Sequence, residues 1–188
     1  MPLPTPAARE RLHLRDIQLR GYHREDGLYD IEAHLRDTKD YGYTNPGRGW
    51  IEKGEPLHDM WLRLTIDDSL VIQSCEAVTD HAPFDICPSA APNFARLAGL
   101  KIGAGFNRAV SERVGGVHGC THLREVLAQM ATVAFKTINP SRRRNAAPPP
   151  ADAPKKRPAI IGTCLAYAPD SPVVRKRWPE FAEKEPAE

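Results

Sequence analysis

The sequence predicts an α+β fold, an antiparallel sheet with helices packed on one face, followed by a C-terminal extension. Two observations lead to this prediction. In the first half of the chain, apolar residues alternate with polar ones, which is the period of a strand with one buried face. From residue 88 onward the apolar residues recur every three or four positions, which is the period of a helix. Strands that precede the helices, instead of alternating with them, favour an antiparallel sheet.

Four segments carry the strand pattern. The clearest is 29–35, where every second residue is apolar without a slip. Residues 12–20 form its expected partner, because Gly21 and a Glu-Asp-Gly turn separate the two segments. Segments 60–66 and 70–78 flank an Asp-Asp-Ser turn, so we expect them to form a hairpin.

Three segments carry the helix pattern. Residues 88–98 and 106–114 each stop at a glycine, which is a common residue just beyond a helix C-terminus. The third, 121–135, has the most continuous apolar stripe, and the region of Thr121 is its expected N-terminal cap. The sequence therefore predicts one long helix and two shorter ones on the sheet.

Composition divides the 188 residues into four segments. Residues 1–10 are expected to be disordered, and 11–138 are expected to form the core domain. Residues 139–158 are rich in proline and alanine with two small basic clusters, a composition typical of a linker. Residues 159–188 regain apolar content and are interpreted as a hairpin, turning near Asp170, and a tail.

Charge and composition also limit the partners. A net charge of +2 is too small to indicate nucleic acid as the main partner. No apolar run is long enough for a membrane span and no leader pattern is evident, so we expect a cytoplasmic protein without a membrane partner. In a reducing compartment, thiols serve in metal sites, catalysis or packing more often than in disulfides. The cysteines are Cys75, Cys87, Cys120 and Cys164.

Three short polar motifs stand at predicted element ends: GEPLHDM at 54–60, Cys-Pro at 87–88 and GCTH at 119–122. Element ends can direct side chains to a common point while the interior stays apolar. A thiol at a helix N-terminus is also stabilised as thiolate by the helix dipole and by free N–H groups. The motifs predict a convergent site, whose candidate residues are His58, Asp59, Cys87, Cys120 and His122.

Thiolate and imidazole groups are suitable ligands for zinc and iron. The first interpretation is therefore a metal-binding or iron-sulfur-binding protein, with Cys87, Cys120 and His58 as ligands. Asp59 or His122 would then be the fourth ligand or would orient a ligand. Neither a CxxC pair nor an HExxH helix is present. Cys75 lies inside a predicted strand, where burial is the expected role.

Two other interpretations remain open. In the first, the protein is an enzyme acting on a small-molecule substrate, with Cys120 as a nucleophile activated by His122 or His58. Acid-base groups would alternatively come from a polar stripe on one strand. That stripe consists of Asp30, Glu32 and His34. Such a stripe is also typical of the solvent side of a sheet. In the second, the protein is a non-catalytic accessory subunit whose tail docks a protein partner.

Longer motifs carry a resemblance to a known family. RxDGLYDIEAHLxDTK at 24–39, GEPxHDM at 54–60 and GCTHL at 119–123 resemble a bacterial domain family of unknown function, DUF2889. The likeness covers most of the chain and extends to Cys164 and the Trp-Pro pair at 178–179.

A remoter resemblance links residues 58–135 to the scaffold proteins of iron-sulfur cluster assembly. It implies a scaffold-like fold and an iron-sulfur cofactor. By that resemblance His58 replaces the first cysteine of the scaffolds, and Asp59 lies near their aspartate. Cys87 and Cys120 then correspond to their second and third cysteines.

Overall fold

Two units make up the chain, Met1–Ala146 and Ala147–Glu188. The structure is a computed structural model that describes residues 3–145 and 156–183. The boundary between the units falls within the segment 139–158, which the composition marks as a linker. No helix in the described part of the chain combines the length and apolarity that a membrane span requires.

The first unit is built on a four-stranded antiparallel sheet of order β1-β2-β5-β6, beside a small sheet formed by β3 and β4. The strands are β1 (His13–His23), β2 (Tyr29–Lys39), β3 (Tyr43–Asn45), β4 (Gly49–Ile51), β5 (Pro56–Ile66) and β6 (Ile72–His81). Both predicted strand pairs, β1 with β2 and β5 with β6, are confirmed. The β3–β4 hairpin was not predicted, because strands of three residues are too short to show a period.

Helices follow the sheet in the predicted order. They are a 3-10 helix at Cys87–Leu97, α1 at Phe106–Val114, a single 3-10 turn at Gly116–His118, and α2 at Thr121–Asn145. The first of these is a 3-10 helix. It contains proline at its second residue and again further along, and proline lacks the backbone N–H that regular α-helical hydrogen bonding requires. Helix α2 continues through Pro140, so it extends past the predicted core boundary at residue 138.

The core lies on one face of the sheet, as the alternation predicts. On β2, Tyr29, Ile31, Ala33 and Leu35 are at most 5% exposed, whereas the residues between them are partly exposed. Alternate residues of β5 and the apolar stripe of α2 complete the same cluster. Burial on a single face confirms the α+β class, with the helices covering one side of the sheet.

The second unit contains short helices in place of the predicted hairpin. These are Leu165–Tyr167, α3 at Pro172–Arg177, and Pro179–Phe181. The hairpin prediction was wrong because Ser171 and Pro172 start a helix. The Ser171 hydroxyl accepts a hydrogen bond from the Val174 N–H at 3.2 Å, and proline at the first helical position already has a helical φ. Val174 is fully buried and anchors this turn.

Candidate functional site

A pocket of about 320 Å³ lies where the start of β5 meets the beginnings of the 3-10 helix and α2. Four of the five predicted site residues line it, namely His58, Cys87, Cys120 and His122. Its other walls are mainly apolar, with Met60, Pro83, Phe84 and Ala90 among them. The structure therefore brings together thiol and imidazole groups that are far apart in the sequence.

Local sequence explains how these groups reach the pocket. His58 shares the inward-facing side of β5 with Met60 and is only 6% exposed. Before α2, the chain passes so close to α1 that a Cβ atom at Gly119 would lie 2.1 Å from the carbonyl oxygen of Val114. Glycine is thus needed at position 119, immediately before Cys120.

A buried carboxylate that is not among the predicted site residues lies beside the pocket. Asp37 is 1% exposed, and its Oδ1 and Oδ2 accept hydrogen bonds from Nε (2.7 Å) and Nη2 (2.8 Å) of Arg15. Asp37 Oδ2 is also 2.9 Å from Nδ1 of His58. The strand register places these three residues directly opposite one another on β1, β2 and β5. A signal was present, because position 37 continues the buried alternation that begins at residue 29.

His122 contacts both His58 and Cys120. The two imidazole rings have centroids 3.8 Å apart and are tilted by 34°. Nδ1 of His122 is 3.9 Å from Sγ of Cys120. One potential ligand atom from each of Asp37, His58 and His122 can be chosen so that the three lie within 4.8 Å of one another. One turn further along α2, Glu125 accepts a hydrogen bond from Arg15 at 2.8 Å.

The electrostatics favour neutral imidazoles beside an ionised carboxylate. Burial, and then the proximity of His122, lower the pKa of His58, although its bond to Asp37 opposes them. Burial and the charge of Arg15 lower the pKa of His122. Burial acts to raise the pKa of Asp37, but Arg15 and His58 outweigh it and hold that pKa below its usual value. A neutral His58 that donates Nδ1–H to this carboxylate keeps a free lone pair on Nε2.

Asp59 is not brought to the pocket. Successive residues of a strand point to opposite faces, so Asp59 projects from the face opposite His58. There its Oδ1 lies 2.6 Å from Nε2 of His34, and its Oδ2 lies 3.6 Å from Nε of Arg36. The sheet itself separates this carboxylate from the thiols.

The polar stripe of β2 also lies on that opposite face. Asp30 accepts a hydrogen bond from the Thr65 hydroxyl at 2.7 Å, and Glu32 accepts one from Arg63 at 2.9 Å. His34 stacks on Trp61, with ring centroids 3.7 Å apart. The acid-base stripe is therefore engaged in pairs across the strands and is not part of the thiol pocket.

The two remaining cysteines lie elsewhere. Cys75 is 5% exposed in the core, as predicted, and burial raises the pKa of its thiol to about 12. Cys164 is exposed in the second unit. Both serve as internal references for any experiment on the thiols of the pocket.

Fold and pocket together define an α+β protein with a one-sided sheet and a pocket lined by imidazole and thiol groups. The chain belongs to the family described as "Protein of unknown function (DUF2889)", whose sequence profile matches residues 13–136. The match begins at β1 and ends within α2, so it includes every residue of the pocket and of the Arg15–Asp37–His58 row. No curated protein and no solved structure gives a significant match. The resemblance to iron-sulfur scaffold proteins therefore rests on the order of the motifs alone.

Proposed function

We propose that this protein binds a transition metal ion, zinc or iron, in the pocket, through His58, His122, Cys87 and Cys120. The observation that carries the proposal is the distance of 3.9 Å between Sγ of Cys120 and Nδ1 of His122. Zinc bonds of about 2.3 Å to sulfur and about 2.0 Å to nitrogen, at a tetrahedral angle, separate the two ligand atoms by about 3.5 Å. A shift of a few tenths of an ångström would therefore suit both atoms for one ion.

His58 is prepared for the same role by Asp37. A metal-bound histidine commonly donates its other ring N–H to a carboxylate, which fixes the orientation and tautomer of the ring. The 2.9 Å contact between Nδ1 of His58 and Asp37 has this form and leaves Nε2 as the ligand atom. The lowered pKa values of His58 and His122 favour the unprotonated rings that a metal requires.

Asp37 is better suited to orient His58 than to bind the ion. Its ligand atom lies within 4.8 Å of those of both histidines, which is compatible with direct coordination. However, both of its carboxylate oxygens already accept hydrogen bonds from Arg15. Direct coordination would weaken a buried charge pair, whereas an orienting role preserves it.

The test is elemental analysis of protein purified without air, followed by titration with Zn²⁺ and Fe²⁺. We expect close to one equivalent of bound metal, and X-ray absorption should show both sulfur and nitrogen ligands. Cys87→Ser and Cys120→Ser should lose the metal. Cys164→Ser is the matched thiol control, and Asp59→Asn is the control for the carboxylate on the opposite face; both should keep it. Failure of the wild type to bind either metal, or equal binding by the pocket serine variants, would refute the proposal.

An iron-sulfur cluster is the polynuclear version of this proposal. It would appear as inorganic sulfide in the analysis and as visible absorption of the purified protein. The same two cysteines and two histidines are a ligand set that iron-sulfur centres are known to use. About one metal ion per chain without inorganic sulfide would argue for the mononuclear site instead.

A cysteine-dependent enzyme is the second candidate function. In a catalytic triad a carboxylate orients the histidine that activates the nucleophile, and the Asp37–His58 hydrogen bond has this form. Cys87 and Cys120, the possible nucleophiles, line the same pocket as the histidine. In that case the purified protein is free of metal, and one pocket thiol reacts with iodoacetamide much faster than the exposed Cys164. His58→Ala should then slow that reaction, whereas His34→Ala, on the other face of the sheet, should leave it unchanged.

A further inference from the structure

Strand β1 is an open edge of the main sheet. It is eleven residues long, and β2 is its neighbour on one side. Among the described residues no strand pairs with its other side. Open edges present unpaired N–H and C=O groups and are the usual sites at which a further strand is added.

The side chains of β1 are complementary to a second copy of the same strand. Antiparallel pairing centred on Gln18 places Asp16 opposite Arg20 of the other copy, and Arg20 opposite its Asp16. The same register pairs Ile17 with Leu19. It further pairs Leu14 with Tyr22, which are 41% and 44% exposed as they stand. Two charge pairs and four apolar pairs therefore form around one two-fold axis.

The charges needed for these pairs are available. Within the described part of the chain, Asp16 has no ion-pair partner, although Arg36 lies opposite it on β2. Arg20 donates a hydrogen bond of 2.6 Å to the side-chain oxygen of Gln18. Gln18 is neutral and lies at the centre of the proposed register. Both charged side chains lie on the solvent side of the sheet, where they can reach across to another strand without disturbing the core.

The register is also consistent with the two faces of the sheet. Ile17 and Leu19 are partly buried against the core, and the even-numbered residues of β1 point to the opposite face. Pairing around Gln18 joins even with even and odd with odd, so the core faces of both copies lie on the same side. Shifting the register by two residues in either direction places Asp16 opposite Tyr22 or Gln18, and the charge pairs are lost.

We infer that two copies of this chain associate through antiparallel pairing of their β1 strands, forming one continuous sheet. The interface is isologous, with each Asp16 contacting the partner's Arg20 across the two-fold axis. Arg15 of each copy would face Gly21 of the other copy, where Thr137 of α2 already fills the space above the glycine. The Arg15 side chain is turned to its own β2 instead, where Asp37 accepts two of its hydrogen bonds, so strand pairing leaves the pocket on the inner face intact.

Sedimentation velocity of the full chain over a series of concentrations is the test. Wild type should sediment as a dimer at the higher concentrations. Asp16→Arg makes both paired positions, 16 and 20, positive and Arg20→Asp makes both negative, so each variant alone should associate at least about tenfold more weakly. Mixing the two variants should restore a dimer, because each then faces opposite charges. The double variant Asp16→Arg with Arg20→Asp should self-associate again.

Asp68→Arg is the control for a change of charge in general, since Asp68 lies in the exposed turn between β5 and β6. It should sediment as wild type does. Circular dichroism would establish that each exposed substitution leaves the fold intact. A monomeric wild type at every concentration, a dimer that both single variants preserve, or two weakened variants that fail to combine when mixed would each overturn the inference.

Discussion

Replacing Asp37 by Asn should destabilise the protein far more than a typical surface substitution. The side chain is 2% exposed and accepts hydrogen bonds from two nitrogens of Arg15 and one of His58. The amide keeps the shape of the carboxylate but loses its charge. Its NH2 group would also face an N–H donor of Arg15 or His58, so a hydrogen bond is lost there. Breaking a buried charge pair costs about 3–5 kcal/mol, and losing a hydrogen bond to a charged group costs about 1.5–3 kcal/mol.

The expected loss is about 3 kcal/mol, near the overlap of these two ranges, because Arg15 is one-third exposed and keeps its bond to Glu125. Urea denaturation of the metal-free protein measures it directly. The Asp37 contribution is fully present above about pH 4, the ordinary range of an unfolded Asp. It should disappear as the pH falls through the lower pKa of the folded carboxyl, so the two proteins converge in strong acid.

Asp40→Asn is the matched control, because Asp40 also binds an arginine through two hydrogen bonds but does so at the surface. It should leave the unfolding midpoint nearly unchanged. A second effect follows from the orientation of His58, since loss of an orienting carboxylate typically weakens metal affinity about 10- to 100-fold. Exposed ion pairs contribute less than about 1 kcal/mol to the free energy of unfolding. A loss within that range for Asp37→Asn would show that the Arg15–Asp37–His58 row does not stabilise the fold as a buried charge pair does.

Three further predictions concern pH, backbone and thiols. The pKa values of His58 and His122 are lowered in the folded state, so the unfolded chain takes up protons first as the pH falls below about 6.5. The metal-free protein should therefore lose stability below this pH. Replacing both histidines by Asn should flatten the pH dependence of the free energy of unfolding in urea titrations. Gly119→Ala places a Cβ against a backbone carbonyl and should cost about 1–3 kcal/mol, whereas Gly103→Ala, with no atom within 4 Å, should be nearly neutral in thermal unfolding. Cys75 should resist a thiol reagent until the protein is denatured, and labelling it in the native state would contradict its burial.

Much of the fold follows from local sequence patterns. The uninterrupted alternation from residue 29 identifies β2 and its buried face, and the apolar stripe after Thr121 identifies α2. Both signals arise from a single element, so no knowledge of its partners is needed. The second unit shows the limit of such patterns. The Ser171–Pro172 pair fits a turn or a helix start equally well, and the packing of Val174 favours the helix.

The candidate site was only partly predictable. His58, Cys87, Cys120 and His122 are marked by motifs at element ends, and all four line one pocket. Asp59 follows His58 in the same motif, but it projects from the other face of the strand.

The sequence by itself determined to which face of its own strand or helix each side chain points, because the period of a strand or a helix is a local property. That property includes the inward position of Asp37 on β2. Only the tertiary structure decided which residues of different strands stand side by side. Arg15, Asp37 and His58 form one row because the register of three strands is set by the packing of the whole core against α2. A carboxylate 21 residues from its histidine thus became its hydrogen-bond partner, whereas the adjacent one did not.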